Sequence, residues 1–217
     1  MEDNKEYPIS AISRLRMGID GEGVRTLIVV SGCPLRCKYC INPQSWDIKE
    51  SDKFYTVDEL YNAVKVDNLY FLSTNGGITF GGGEPGLYAP FIKEFSKRYG
   101  KKWTVNLETS LNFSRENLKM LQDVVDYFYI DIKDTDPDIY KAYTGGDNDL
   151  PIRNLEYLCE NKYQYKIQVR VPEIERFNTT DNCDITEKYC RSLGITDIDR
   201  FQYIIRGNSI TKTASAK

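Results

Sequence analysis

The sequence contains no histidine, which excludes histidine-based nucleophile triads, imidazole proton shuttles and the commonest zinc ligand sets before any motif is read. It has no run of about 18 apolar residues, so neither a membrane-spanning helix nor a membrane partner is expected. Positive charge is not in excess either: 29 Lys and Arg stand against 32 Asp and Glu, a net charge of −3. A broad basic field for nucleic acid is therefore absent, and nucleic acid is not expected as a partner. The opening segment, MEDNKEYPISAISRLRMG, places acidic residues before any apolar run and lacks a small-residue cleavage pattern. It does not read as a secretory signal, and a cytoplasmic location is expected. With no linker-like Pro, Gly or Ser enrichment and no fixed repeat, the expectation is one domain over residues 1–217, its core at about 20–206 and a flexible tail at 207–217.

What is present suits a sizeable core: 41% of the 217 residues are hydrophobic. From Arg25 to about Arg206, β-rich apolar runs alternate with helix-period segments, the pattern of repeated βα units on a parallel sheet. Strands are predicted at 26–30, 78–80, 103–108, 126–133, 166–171, where Pro172 stops the run, and 201–205. Helices are predicted at 56–66, capped by Thr56 with Glu59 three residues on, at 88–99 before Gly100, at 114–123 capped by Ser114, at 152–161 and at 185–193. Six successive right-handed βα units curl into an α/β fold, an incomplete (β/α)6 barrel with a parallel sheet, in which chemistry collects at the carboxyl ends of the strands. Cys33, Cys37 and Cys40 follow the first predicted strand; Gly82, Gly83 and Glu84 end the second; Glu108 and Thr109 end the third. Asp131 and Lys133, on one face of an alternating strand that also carries Tyr129, end the fourth, and Arg170 ends the fifth.

The segment CPLRCKYC at 33–40 offers three thiolates on a tight loop, a spacing suited to three irons of a [4Fe–4S] cluster whose fourth iron stays open. Three other readings exist: a zinc site short of a ligand, a redox pair of Cys37 and Cys40, or three buried thiols. The remaining cysteines, Cys159, Cys183 and Cys190, read as buried thiols. In Gly82-Gly83-Glu84-Pro85, glycine permits close backbone approach to a ligand, and carbonyls with a carboxylate can accept from an ammonium group. A plain turn would read the same way.

With Tyr39 directly before the last cysteine of CxxxCxxC and the Gly-Gly-Glu-Pro turn downstream, the sequence resembles the radical S-adenosylmethionine (SAM) superfamily. Within it the resemblance is to glycyl-radical-enzyme activases of the pyruvate formate-lyase activating type. It rests on DGEGVRTLIVVSGCPLRCKYCINPQSW at 20–46, GGITFGGGEP at 76–85, NLETS at 106–110, YIDIKDTDPDIYKAYTGGDNDLPIRNLEYL at 129–158 and QVRVP at 168–172. The resemblance implies one [4Fe–4S] cluster on Cys33, Cys37 and Cys40, and SAM bound by Tyr39, Gly82, Gly83, Glu84, Glu108, Thr109, Asp131, Lys133 and Arg170. It also implies a monovalent cation at Glu108, Thr109, Asp131 and the carbonyl of Tyr129. The partners it implies are a glycyl radical enzyme as protein substrate and a flavodoxin- or ferredoxin-type electron donor. The implied activity is reductive cleavage of SAM to a 5′-deoxyadenosyl radical that abstracts a glycine Cα hydrogen, with partner contacts from 42–53 and 134–149.

The chain departs from that pattern in places. Ile41 stands where such activases commonly have His, Glu108 replaces the usual Asp, and a late-strand His at the ribose cannot exist here, leaving Gln202 or Tyr203 as substitutes. Residues 41–75 contain no further Cys, so no ferredoxin-like insertion is expected. The alternatives are a radical SAM enzyme acting on a small molecule or ribosomal peptide, such as a 7-carboxy-7-deazaguanine synthase-like or peptide-modifying enzyme, and a plain iron–sulfur electron carrier. A carrier would call for four protein ligands.

Overall fold

The computed structural model describes residues 5–206 and 209–214, with side chains described as far as Tyr203. One nine-stranded sheet runs through it in the order β3-β1-β2-β4-β5-β6-β7-β8-β9. The first strands are β1 (Tyr7–Met17), β2 (Val24–Val30) and β3 (Lys53–Tyr55), followed by β4 (Gly77–Gly82), β5 (Thr104–Thr109) and β6 (Tyr127–Asp131). The last are β7 (Ile167–Glu173), β8 (Ile198–Arg206) and β9 (Ser209–Ala214). From β2 through β4, β5, β6 and β7 to β8 every neighbour is parallel, which gives the six parallel strands of an incomplete barrel. The edges are antiparallel: β1 pairs with β2 and β3, and β9 with β8.

Strand alternation sorts the side chains into two environments. Ile78 and Phe80 of β4, Val105 and Leu107 of β5, Phe128 and Ile130 of β6, and Val169 and Val171 of β7 enter the main apolar core. The helices supply the other half of that core. In α3 (Ala89–Tyr99), Phe91, Ile92 and Phe95 form a buried stripe at helical spacing, and α4 (Arg115–Leu121) adds Leu118 and Leu121. The intervening strand residues, Thr79, Asn106, Glu108, Tyr129, Asp131 and Arg170, stay outside that cluster. On them the interior chemistry is built.

Helix starts follow the capping rules. Thr56 and Glu59 form a reciprocal capping box at α1 (Val57–Val64), and Ser114 accepts from the Asn117 amide at α4. Two short helices were not expected, α2 (Asn68–Thr74) and α5 (Pro137–Thr144). The latter carries Asp136 as N-cap, Pro137 in its first turn and Gly145 in the left-handed conformation at its end, a full set of boundary signals on eight residues. The remaining helices are α6 (Asp149–Glu160) and α7 (Thr180–Ser192).

Three expectations change. β1 adds an antiparallel strand before the first predicted one. Strand β7 does not stop at Pro172: the β6–β7 register ends at Asp131 and Arg170, so on that side proline has no ladder partner to lose. Its carbonyl is used by the Asn178 amide at 3.0 Å. Residues 209–214, expected as part of a flexible tail, form β9; residues 207–208 and 215–217 lie outside the described residues.

Candidate functional site

At the carboxyl ends of the parallel strands lies a cavity of about 390 Å³. Cys33, Cys37, Cys40 and Tyr39 line it, as do Gly82, Gly83 and Glu84, and so do Glu108, Thr109, Asp131, Lys133 and Arg170. Sequence spacing alone put these residues on one rim, and the fold brings them around one space. From Tyr129 only the backbone carbonyl is expected at the site. Its side chain lines a smaller hollow of about 280 Å³ that also contains Arg25 and Thr104, and its ring lies 4.9 Å from the Arg170 guanidinium.

The cysteine loop is fixed by backbone hydrogen bonds along its length. Gly32 N donates to Ser45 O at 2.8 Å and Cys33 N to Trp46 O at 2.9 Å; further on, Arg36 N donates to Thr144 O at 2.8 Å and Lys38 N to Tyr143 O at 3.0 Å. Helix α5 thus forms the floor under the loop rather than a free external surface, and Tyr140, Tyr143 and Thr144 are buried. The three thiols are free and partly accessible. Burial pushes Cys33 up to about 12 and Cys37 up to about 11.

The glycine turn is joined to this loop. Gly83 N donates to Val30 O at 3.0 Å and Glu84 N to Gly32 O at 2.8 Å. Gly82 has φ +94°, and a Cβ there would lie 2.4 Å from Val29 Cγ1; at Gly83 it would lie 2.3 Å from Gly32 O. Only glycine suits both positions. Glu84 is fully buried and its carboxylate is occupied: Oε1 accepts from Gly86 N at 3.2 Å and Thr109 Oγ1 at 2.6 Å, while Oε2 accepts from Ser110 N at 2.9 Å and Ser110 Oγ at 2.7 Å. Its side chain locks the β4 turn to the end of β5, so any ligand contact in this turn falls to the backbone.

Two ion pairs face the cavity. Arg170 Nη1 lies 2.8 Å from Glu108 Oε1, with Nη2 donating to Ile19 O at 3.0 Å. Lys133 Nζ lies 2.8 Å from Asp131 Oδ2. Burial opposes both cations, yet the carboxylates outweigh it: Glu108 and Asp131 raise Arg170, and Asp131 raises Lys133 well above the ordinary lysine value. Both side chains therefore stay charged. Sequence reasoning missed Arg16 and Asp20, which pair and line the same cavity, and Tyr143, which lines it too. Arg16 and Asp20 lie in the β1–β2 hairpin, ahead of the first predicted strand at 26–30. Of the two substitutes for the absent histidine, Tyr203 lines the cavity, whereas Gln202 is exposed and directed to Glu173.

Among the described residues, no three His, Cys, Asp or Glu side chains converge as ligands of a single metal ion. A zinc site would require such convergence, whereas in a cluster each cysteine takes its own iron and the sulfurs stand apart. Three soft thiols on one pinned loop, opening into one cavity, therefore fit a [4Fe–4S] cluster.

The family model of the radical SAM superfamily matches residues 27–169. The chain belongs to that superfamily. Among curated proteins it is 30% identical to a 4-hydroxyphenylacetate decarboxylase activating enzyme of Clostridioides difficile, over 75% of this chain and 71% of the relative. It is also 34% identical to a pyruvate formate-lyase-activating enzyme of Staphylococcus epidermidis, over 72% of this chain and 65% of that one. Within the superfamily it therefore groups with the activases of glycyl radical enzymes. Among solved structures, Streptococcus suis SuiB bound to S-adenosylmethionine superposes with TM-score 0.62 at 13% identity, covering 85% of this chain and 41% of SuiB. A domain of pyruvate-formate lyase-activating enzyme from Bacteroides vulgatus gives TM-score 0.53 at 23% identity, covering 64% of this chain and 86% of that domain. These structures speak for the fold, and this chain spans about two fifths of SuiB.

Proposed function

We propose that this protein activates a partner glycyl radical enzyme, and that the site just described performs the activation. The observation that carries this reading is the meeting of the cysteine loop, the glycine turn and two buried cations around one cavity. When bound, the cluster and SAM supply one-electron reductive cleavage to a 5′-deoxyadenosyl radical, which removes a hydrogen from a glycine Cα. The protein's own residues bind, orient and shield. Cys33, Cys37 and Cys40 hold three irons. Lys133 and Arg170, kept charged by their carboxylates, hold the cofactor's carboxylate by charge-assisted hydrogen bonds. The backbone of Gly82 and Gly83 admits its amino group, and Glu84 keeps that turn in place through Thr109 and Ser110. Tyr39 closes the loop side of the pocket, and Tyr203 takes the position beside the ribose that a histidine would fill. Asp131 and Glu108 serve the ribose hydroxyls.

The monovalent-cation site stays in the proposal in a restricted form. Glu108 is paired with Arg170, Asp131 with Lys133, and the Thr109 hydroxyl with Glu84, so a cation at this site requires those contacts to be exchanged. Dependence of SAM affinity on potassium or sodium tests it. The cavity mouth carries exposed Ile19 and Ile41, an apolar border suited to a backbone segment bearing the target glycine. On this reading the protein works in the cytoplasm and takes its electron from a flavodoxin- or ferredoxin-type donor. Among the described residues no helix is long and apolar enough to cross a membrane.

The test is anaerobic incubation of the reduced, cluster-loaded protein with SAM and a candidate glycyl radical enzyme, followed by electron paramagnetic resonance. A glycine-centred doublet and stoichiometric 5′-deoxyadenosine are expected. Turnover of a ribosomal peptide or small molecule, with no doublet on any partner, would overturn the reading.

A further inference from the structure

Helix α5 carries a buried polar atom that neither the fold nor the proposed function uses. Tyr140 is 2% exposed, and its hydroxyl has no hydrogen-bond partner among the described residues. A buried phenol without a partner forfeits the solvation it had in the unfolded chain, and in native proteins such groups are usually bonded to something. The residue is placed by the same helix that holds the cysteine loop: one turn after Tyr140, the carbonyls of Tyr143 and Thr144 accept from Lys38 N and Arg36 N, which flank Cys37. The loop thus sits on the carboxyl end of α5, within one turn of Tyr140.

Its surroundings narrow the choice of acceptor. The ionisable groups acting on the Tyr140 hydroxyl are Cys37, Lys133, Glu84 and Cys33. Lys133 is an ammonium, with no lone pair to offer, and is paired with Asp131. Both Glu84 oxygens already accept two hydrogen bonds each. What remains is sulfur: Cys33 and Cys37 make no bond to the hydroxyl as they stand, and the cluster they would hold carries further sulfurs.

We propose that Tyr140 donates a hydrogen bond to a sulfur of the [4Fe–4S] cluster and so raises the cluster's reduction potential. The inference rests on the functional reading above. Reduction adds negative charge to the cluster, and a donor to sulfur stabilises the reduced form more than the oxidised one, which is how hydrogen bonds to sulfur tune iron–sulfur potentials. In a chain without histidine, a phenol is a donor that cannot titrate away at physiological pH.

The experiment is an electron paramagnetic resonance redox titration of the reconstituted Tyr140→Phe protein beside wild type, with iron and labile sulfide measured in both. Phenylalanine keeps the ring and removes only the unpartnered oxygen. At a fixed solution potential the reduced-to-oxidised ratio of the variant is expected to fall about tenfold, which for one electron is about 59 mV. A second protein, with 3-fluorotyrosine placed at position 140, keeps the shape and strengthens the donor, so its potential is expected to rise. Equal potentials in wild type, Tyr140→Phe and the fluorinated protein, each fully loaded, would overturn the hydrogen bond while leaving the activase reading intact. If Tyr140→Phe does not load, the fluorinated protein decides alone: no rise overturns the proposal. A wild-type chain that assembles no [4Fe–4S] cluster would overturn the activase reading and this inference together.

Discussion

The two ends of the parallel sheet hold buried cations in opposite ways. At the amino end, Arg25 is 1% exposed and is met by neutral acceptors: the Thr79 and Thr104 hydroxyls and the carbonyls of Ile78 and Thr104. Lys166 is similar, donating to the carbonyls of Gln122 and Val125. Burial dominates there, lowering Arg25 to about 10 and lowering Lys166 as well. At the carboxyl end, Lys133 and Arg170 each have a carboxylate and are raised instead. Cations held by backbone carbonyls and hydroxyls close one end of the barrel. Those held by carboxylates at a cavity wall keep their full charge and can share it with an anionic group of a ligand. One fold thus holds the same residue types with neutral acceptors at one end and with carboxylates at a cavity wall at the other.

Exchanging residues between these roles tests the contrast. The largest effect is expected at the loop. Cys33→Ala, Cys37→Ala or Cys40→Ala should reduce 5′-deoxyadenosine formation by at least about a thousandfold, with loss of the cluster's visible absorption. Cys159→Ala, in the core, should retain both; the reverse pattern would break the assignment of ligands. Next, Arg25→Met at the amino end should lower unfolding stability by about 3 kcal/mol, because several buried acceptors lose their donor. Its SAM affinity should remain within about twofold of wild type, so a large loss of affinity would erase the difference between the two ends. Lys133→Ala should show the opposite profile: SAM binding weaker by about tenfold or more by equilibrium titration, with the cluster retained. Unchanged affinity in both Lys133→Ala and Arg170→Ala would remove these cations from recognition. The smallest effect belongs to neither end: Thr56→Ala should cost about 1 kcal/mol in a denaturant melt by breaking the α1 capping box, without altering SAM binding.

Legibility in the sequence followed the physics of each element. Strand β6 was readable because Tyr127, Tyr129 and Asp131 alternate with Phe128 and Ile130, and the structure divides them between interior and core. The rim was readable because residues at strand ends are adjacent in sequence to the strands that carry them. Strand β1 was not: only its first few residues are buried, and the rest gives a weak alternation on an edge. Helix α5 has every boundary signal but only two turns, too few for a hydrophobic period to stand out. The occupied Glu84 carboxylate and the pairing of Glu108 with Arg170 were out of reach, since both depend on which strands become neighbours. Arg16 and Asp20 were missed because a hairpin turn at the amino end of β2 carries no strand-end signal.

The pinning of the cysteine loop bears on what can move it. Gly32 and Cys33 donate to the carbonyls of Ser45 and Trp46, and Arg36 and Lys38 to those of Thr144 and Tyr143. Two segments distant in sequence, 45–46 and the end of α5, thus hold the thiols from different sides, and a shift in either reaches the cysteines through backbone bonds rather than side chains. A substitution that frays the end of α5 would therefore be felt at the loop, with faster amide exchange at Arg36 and Lys38 as its signature.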